Sequence, residues 1–225
     1  MPQKNSVKQY LKNGYYHVYN RGVEKRSIFL DTQDYQVFLR FLKEYLLPPK
    51  HPDLIALQGL NPRRTAKNYF ADIELLCYCL MPNHFHLELR QKSDLGLQSF
   101  MKALLTNYSM YFNRKYNRVG HLFQGIYKAS MIMEDPYLVH LSRYIHLNPN
   151  DSMARVEPLQ EYRFSSYADY LGLRKTEWVN TTLILSIFNE LNKNTRDSVS
   201  YQKFVEDIPT STTEDDLAKT LYGLD

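Results

Sequence analysis

The chain is poor in cysteine and has no long apolar run. It has 2 cysteines, 8 glycines and 1 tryptophan among its 225 residues. Cys77 and Cys79 stand two apart on a predicted strand, where they are poorly placed to bond each other, so a disulfide framework is excluded. No segment approaches the length that spans a bilayer, and the N-terminus lacks the apolar core of a secretory signal. The sequence therefore predicts a cytoplasmic protein without a membrane partner.

Positive charge is concentrated in the first two thirds of the chain. Residues 1–150 contain 20 Lys and Arg against 11 Asp and Glu, a net charge of +9, whereas residues 151–225 contain 8 against 13, a net charge of −5. The chain also has 19 tyrosines and 11 phenylalanines, and aromatic rings can stack on bases. Together these features favour a nucleic-acid-binding domain followed by an acidic tail.

Hydrophobic periodicity predicts strands at 15–19, 73–81, 84–91 and 127–133 and helices at 32–45, 95–116 and 135–147. The order βαββαβα is typical of an α+β, ferredoxin-like (RRM-like) fold. Such a fold has an antiparallel sheet with helices on one face, and we expect the other face to be free for a ligand.

The chain is expected to form one domain over residues 1–175 and a tail over 176–225. A basic, proline-rich stretch at about 48–70, which includes Arg63 and Arg64, is predicted to be an inserted loop. The tail is predicted to be partly helical, with loosely attached polar stretches at 192–200 and 210–216.

Two histidines share one face of the strand at 84–91. Period-two alternation puts His84, His86 and Glu88 on the same side, and neighbouring imidazoles can bind one metal ion. A structural zinc site that adds Cys77 and Cys79 is an alternative. It depends on the hairpin turn, because a two- or four-residue turn places Cys79 opposite His86, whereas a three-residue turn puts both cysteines on the packed face.

Five blocks of sequence resemble, in order, the REP-associated tyrosine transposases, which belong to the HUH single-tyrosine transposases. In that superfamily two histidines flank a bulky apolar residue. The resemblance extends over about residues 14–172. The blocks are YHVYNRG at 16–22, LMPNHFHL at 80–87, GHLFQGIYK at 120–128, LSRYIHLNP at 141–149 and YRFSSY at 162–167.

The resemblance implies an enzyme that cuts and rejoins DNA through a covalent 5′-phosphotyrosine, with Tyr144 as nucleophile. His84 and His86 match the pair that binds Mg²⁺ or Mn²⁺, and Asn148 stands where the family has a polar side chain that can complete the metal shell. The spacing places Asn148 on the same helix face as Tyr144, although a residue before proline tends to leave the helix. Tyr127, Tyr137 and His146 are expected to have packing roles.

The implied substrate is single-stranded DNA beside a hairpin, such as a repetitive extragenic palindrome, in the nucleoid of a bacterial cell. The sequence leaves open whether the protein is a monomer or a homodimer. Candidate DNA contacts are Arg21, Arg114, Lys115, Gln124, Tyr127 and Lys128. Two other functions are alternatives: a replication initiator or relaxase with the same tyrosine chemistry, and a non-catalytic RRM-like module.

Overall fold

A computed structural model describes residues 10–60, 67–151, 158–193 and 199–207. Arg63, Arg64 and the polar stretch at 210–216 lie outside these ranges, as does most of the stretch at 192–200. The domain boundary predicted at residue 175 stays a prediction.

Four strands form one antiparallel sheet. They are β1 (Tyr15–Arg21), β2 (Ile73–Met81), β3 (His84–Gln91) and β4 (Lys128–Ile132), in the order β2-β3-β1-β4. This order places β1 and β3 in the centre and confirms the ferredoxin-like, α+β prediction.

Seven α-helices lie in the described part of the chain. They are α1 (Thr32–Leu46), α2 (Pro52–Leu60), α3 (Gly96–Lys115), α4 (Asp135–Leu147), α5 (Tyr167–Tyr170), α6 (Thr182–Lys193) and α7 (Tyr201–Glu206). None of the helices within these ranges is long and apolar enough to cross a membrane.

The helices α1 and α3 pack on one face of the sheet. Alternation along β3 points Phe85, Leu87 and Leu89 into this layer, where all three are fully buried. The start of α1 is fixed by a capping box, in which the Asp31 carboxylate accepts from the Asp34 backbone and the Asp34 carboxylate accepts in return. This layer is the main hydrophobic core.

The second face of the sheet is also covered, which corrects the expectation of a free face. Helix α4 packs across it, and α6 and α7 pack in turn on α4. The reason lies in β2, whose residues are apolar on both sides, so Leu76, Cys77 and Cys79 need a cover as well. Helix α4 supplies that cover, and the helices α6 and α7 of the predicted tail are held against α4.

The inserted stretch contains a helix, α2, where the sequence predicted a loop. Pro52 occupies its first residue, where the fixed φ of proline suits a helix and no amide hydrogen is needed. Leu54 is buried, and Lys43 of α1 forms an ion pair with Asp53 at 2.5 Å. The prolines of this stretch therefore initiate a helix as well as ending α1.

Candidate active site

Strands β1 and β3 bring an aromatic cluster together on the second face of the sheet. In the register of the two strands Tyr19 lies opposite His86, and Arg21 lies opposite His84. The rings of His84 and His86 are 5.0 Å apart, and those of His17 and His86 are 5.1 Å apart, with His17 Nε2 lying 2.8 Å from His86 Nδ1. The predicted histidine pair thus lies on a central strand of the sheet, beside a third histidine.

Helix α4 places Tyr144 against these histidines. The ring centroid of Tyr144 is 5.4 Å from that of His86 and 6.1 Å from that of His17, and the ring is nearly perpendicular to both. Tyr144 is half-buried, whereas His86 and His17 are buried. A single chain therefore supplies the tyrosine and both predicted metal ligands to one site.

Asn148 continues the helical path of α4 although Pro149 follows it. Its backbone angles are φ −47° and ψ −38°, because the chain passes from α4 directly into a 3₁₀ turn. The Asn148 amide donates to the Tyr144 carbonyl at 2.9 Å, which leaves its oxygen Oδ1 facing His84 Nε2 at 3.2 Å. The side chain predicted to complete the metal shell thus lies beside the histidine pair.

The hydrogen-bond acceptors around His84 outnumber its protons, an arrangement that suits a bound cation. Its Nδ1 lies 2.6 Å from Asn83 Oδ1, and the Asn83 amide donates to the Lys25 carbonyl, so Asn83 presents an acceptor. Burial, assisted by Arg21, lowers the pKa of His84, which therefore carries one N–H at neutral pH. That proton serves only one of the two acceptors, Asn83 or Asn148. A cation between His84 Nε2 and Asn148 Oδ1 would satisfy the other, so these residues fit a bound metal ion.

His86 is also held in the neutral state that metal ligation requires. Burial, followed by the proximity of His84, His17 and Arg21, lowers its pKa well below the ordinary value. Burial lowers the pKa of His17 to about 3. Neutral imidazoles have a lone pair to offer, so neither ring has to lose a proton before a metal binds at neutral pH.

Glu88 lies beneath this cluster, opposite His17 in the strand register. It is fully buried, and within the described ranges neither carboxyl oxygen has a hydrogen-bond partner. Burial raises its pKa well above the usual value, so we expect it to be protonated at neutral pH. No three His, Cys, Asp or Glu side chains of the described residues are grouped to hold a metal, which leaves Asn148 as the third candidate ligand.

The cysteines do not assemble a zinc site with the histidines. The turn has two residues, so Cys79 does lie opposite His86. The Cys77 sulfur, however, lies 3.3 Å from His146 Nε2, in a buried network that excludes His84. Burial raises the pKa of both thiols, so they remain protonated small core groups.

His146 links α4, the helix of Tyr144, to α7. Its Nε2 lies 2.9 Å from the Ser166 hydroxyl and its Nδ1 lies 3.1 Å from the Tyr201 hydroxyl. Ser142 Oγ lies 2.8 Å from the same Tyr201 hydroxyl, so two residues of α4 contact one residue of α7. This network makes His146 a packing residue that does not contact the predicted metal-binding pair, His84 and His86.

Three of the predicted DNA contacts surround the histidine cluster. Arg21, Gln124 and Lys128 are exposed, and the backbone N–H of Gln124 donates to the Arg21 backbone carbonyl at 2.8 Å. The Lys128 ammonium lies 5.6 Å from the centre of the Tyr19 ring. Arg114 is exposed as well, at the C-terminal end of α3.

The structure places the other two predicted DNA contacts in packing positions. The Lys115 ammonium forms ion pairs of 2.7 Å with Asp31 and 2.8 Å with Asp34, so its charge is neutralised within the protein. Tyr127 is buried, and its hydroxyl contacts that of Tyr10. These contacts favour packing and ion-pairing roles for the two side chains, and their predicted DNA contacts stay predictions.

Sequence reasoning missed the neighbours that orient the histidines. His17, Tyr19 and Asn83 all lie within the resembling blocks, yet period-two alternation says nothing about which residues of β1 face β3. Two features of the sequence could have indicated His17 as a site residue. It lies in the first resembling block, and the other residues of the predicted strand 15–19 are apolar or aromatic.

Residues 63–148 match the model of the family "Transposase IS200 like". The matched segment contains β2, β3, α3, β4 and α4, and with them both histidines, Tyr144 and Asn148. None of the curated proteins compared matches the sequence significantly.

Two solved structures are similar to the chain. One is the REP-associated tyrosine transposase bound to a REP hairpin, at a TM-score of 0.50 and 17% identity, with 80% of this chain and 94% of that chain covered. The other is from Deinococcus radiodurans R1 and is provisionally assigned as a transposase. Its TM-score is 0.35 at 16% identity, with 64% of this chain and 95% of that chain covered, too distant to bear on the fold.

The histidine pair on β3 and the tyrosine on α4 lie together in residues 63–148, the segment that is similar to the IS200-like transposases. The chain thus carries its predicted nucleophile and metal ligands within that matched segment. Its fold is that of the REP-associated tyrosine transposase, the group that its five sequence blocks resemble.

Proposed function

We propose that this protein is a transposase that cuts and rejoins single-stranded DNA through a covalent bond between Tyr144 and a DNA 5′-phosphate. The observation that carries the proposal is the position of the Tyr144 ring, 5.4 Å from the ring of His86 and 6.1 Å from that of His17. In the reaction the Tyr144 oxygen bonds to phosphorus and the bond from phosphorus to the 3′ oxygen breaks. The phenol loses its proton to solvent, and the 3′ oxygen gains one.

His84, His86 and Asn148 would hold a Mg²⁺ or Mn²⁺ ion. When bound, the ion would polarise a non-bridging phosphate oxygen and stabilise the negative charge that develops there. A phenol with a pKa near ~10 is a weak nucleophile at neutral pH, so such activation of the phosphate is needed. Imidazole ligands favour Mn²⁺ over Mg²⁺.

The protein's own side chains position the reacting groups. Asn148 donates to the Tyr144 carbonyl, so the last turn of α4 and the candidate metal shell are fixed to each other. Arg21 and Lys128 stand on either side of the cluster, and their exposed charges suit the phosphates that flank the cut. The phosphotyrosine keeps the energy of the broken bond, so a 3′-hydroxyl from another strand can reverse the step without ATP.

The preferred DNA, we infer, is a single strand beside a folded hairpin. The REP-associated tyrosine transposase, whose fold this chain shares, is bound to a REP hairpin. The accessible rim of the site, with Arg21, Gln124 and Lys128, is suited to a flexible strand, which can bend a phosphate down to Tyr144.

The covalent intermediate gives the direct test. An oligonucleotide labelled on the segment 3′ of the cut should become attached to the wild-type protein through an SDS-resistant bond, whereas label on the 5′ segment should remain free. Tyr144→Phe removes one oxygen and should abolish the adduct while DNA binding persists. Tyr137→Phe, a tyrosine on the same helix, is the matched control and should react normally. An adduct that maps to Tyr137, or one that survives Tyr144→Phe, would overturn the assignment.

A further inference from the structure

Each of the two candidate metal-binding histidines has its Nδ1 atom held by a polar neighbour. Asn83 Oδ1 lies 2.6 Å from Nδ1 of His84, and His17 Nε2 lies 2.8 Å from Nδ1 of His86. Both contacts leave the Nε2 atom of the ring for another partner. The two neighbours are chemically different, because the Asn83 carbonyl oxygen can only accept, whereas a neutral imidazole can accept or donate.

The direction of the bond between His17 and His86 decides whether His86 can bind a metal. If His86 Nδ1–H donates to His17 Nε2, the lone pair of His86 is on Nε2. If His17 donates instead, the proton of the neutral His86 is on Nε2, and that atom cannot be a ligand. A cation on Nε2 of His84 would leave the proton of that ring on Nδ1, toward Asn83 Oδ1, so the first direction makes the pair equivalent.

His17 is rigidly placed for this role. It lies on the central strand β1 and is fully buried, and its ring centroid is 4.8 Å from that of Tyr19. Strand pairing fixes its backbone on both sides, opposite Glu88 in β3 and Ser130 in β4. The ring cannot turn away from His86 without disturbing its buried contact with Tyr19.

We propose that His17 is a positioning residue, which accepts a hydrogen bond from His86 Nδ1–H and so holds His86 in the tautomer that offers Nε2 to the cation. The inference rests on the proposed metal-dependent function. A partner of this kind fixes both the proton and the ring orientation of a metal ligand, and its loss typically weakens metal binding by about 10- to 100-fold.

Two variants separate the hydrogen bond from the packing. His17→Gln keeps a carbonyl acceptor and should bind Mn²⁺ nearly as tightly as the wild type. His17→Leu keeps apolar bulk without an acceptor and should bind Mn²⁺ about 10- to 100-fold more weakly in titrations followed by electron paramagnetic resonance. Urea unfolding of each variant shows whether the comparison is between folded proteins. Equal Mn²⁺ affinity of wild type and folded His17→Leu would refute the proposal.

A measurement on the metal-free wild type keeps the test independent of both activity and the folding of the variants. Nitrogen-15 NMR of the imidazoles, with the His86 signals identified by His86→Ala, should show a protonated Nδ1 and an unprotonated Nε2. A protonated Nε2 on His86 would overturn the inference. Failure of the proposed function would look different, because the wild type itself would then not bind Mn²⁺, or would cut DNA in EDTA, whatever the tautomer of His86.

Discussion

Asn148 Oδ1 lies 3.2 Å from His84 Nε2, while the same Asn148 side chain donates to the backbone of Tyr144. One amide therefore contacts both a candidate metal ligand and the helix turn that carries the proposed nucleophile. The spacing of four residues between Tyr144 and Asn148 permits this only because the chain stays helical up to Pro149.

Asn148→Ala should lower Mn²⁺ affinity by about 10- to 100-fold, because it removes an oxygen from the metal shell. Asn148→Asp keeps an oxygen and adds negative charge, so it should bind Mn²⁺ at least as well as the wild type. Calorimetric titration of the two variants measures the difference. Unchanged affinity in Asn148→Ala would remove this residue from the shell.

Cleavage should require a divalent cation and the two histidines. His84→Ala and His86→Ala should each abolish Mn²⁺ binding and strand cleavage, because two ligands cannot hold the ion as firmly as three. The measurement is cleavage of a labelled oligonucleotide with Mn²⁺, with Mg²⁺ and with EDTA. Full activity in EDTA would contradict metal dependence.

The protein should act within a single chain, because Tyr144 lies against the histidines of its own chain. A mixture of Tyr144→Phe and His86→Ala proteins, each inactive alone, should therefore remain inactive. Recovery of cleavage in the mixture, measured against either protein at twice the concentration, would show that the tyrosine of one subunit serves another.

Binding should depend on backbone phosphates and on the form of the DNA. Hairpin-flanked single strands should bind more tightly than blunt duplex, and log Kd should rise linearly with log salt. Lys128→Ala should weaken binding and reduce the salt slope by about 1, as expected for one lost phosphate contact. Lys115→Ala is the control. Because the Lys115 ammonium is paired with Asp31 and Asp34, we expect its removal to leave the salt slope unchanged.

Asp34 should be important for stability, with a defined pH dependence. Burial alone would raise its pKa, but hydrogen bonds from Lys115, the Leu30 amide and Tyr116 outweigh that effect and lower the pKa below 3.8. A lowered pKa means stability that is present above pH 3.8 and is lost as pH falls through the folded-state pKa. Asp34→Asn should cost about 2 kcal/mol at pH 7, as for hydrogen bonds to a charged group. It should also flatten the loss of stability below pH 4 in urea unfolding. Equal stability of the two proteins at pH 7 would refute this.

Strand β3 and the long helices were predictable from the sequence because their apolar residues repeat at a single period, whereas β2 was predicted from a nearly continuous apolar run. The structure extends β1 to Arg21 and shortens the predicted helix at 95–116 by one residue at each end. Helix α2 was missed because a proline-rich composition is equally compatible with a loop, and only the burial of Leu54 distinguishes them. The cover on the second face was missed because it comes from α4, whose apolar residues the sequence does not direct to a particular face of the sheet.

The histidine pair and Tyr144 could be selected from the sequence because their motifs are contiguous. His17 could not, because its contact with His86 depends on pairing between strands that are far apart in the chain. For the same reason charge alone did not separate Lys115, which is ion-paired with Asp31 and Asp34, from Lys128, which is exposed.

The strand order has a consequence for how the protein matures on the ribosome. Strand β1 is central and is made first, yet its partners β3 and β4 begin at His84 and Lys128. The nascent chain must therefore carry an unpaired central strand until most of the domain has emerged, a state that favours chaperone binding. His17 and Tyr19 are synthesised long before the residues they contact, and Tyr144 arrives after the last strand. The proposed catalytic site is therefore complete only when nearly the whole domain has been synthesised, and an aborted chain that ends before α4 lacks the proposed nucleophile Tyr144.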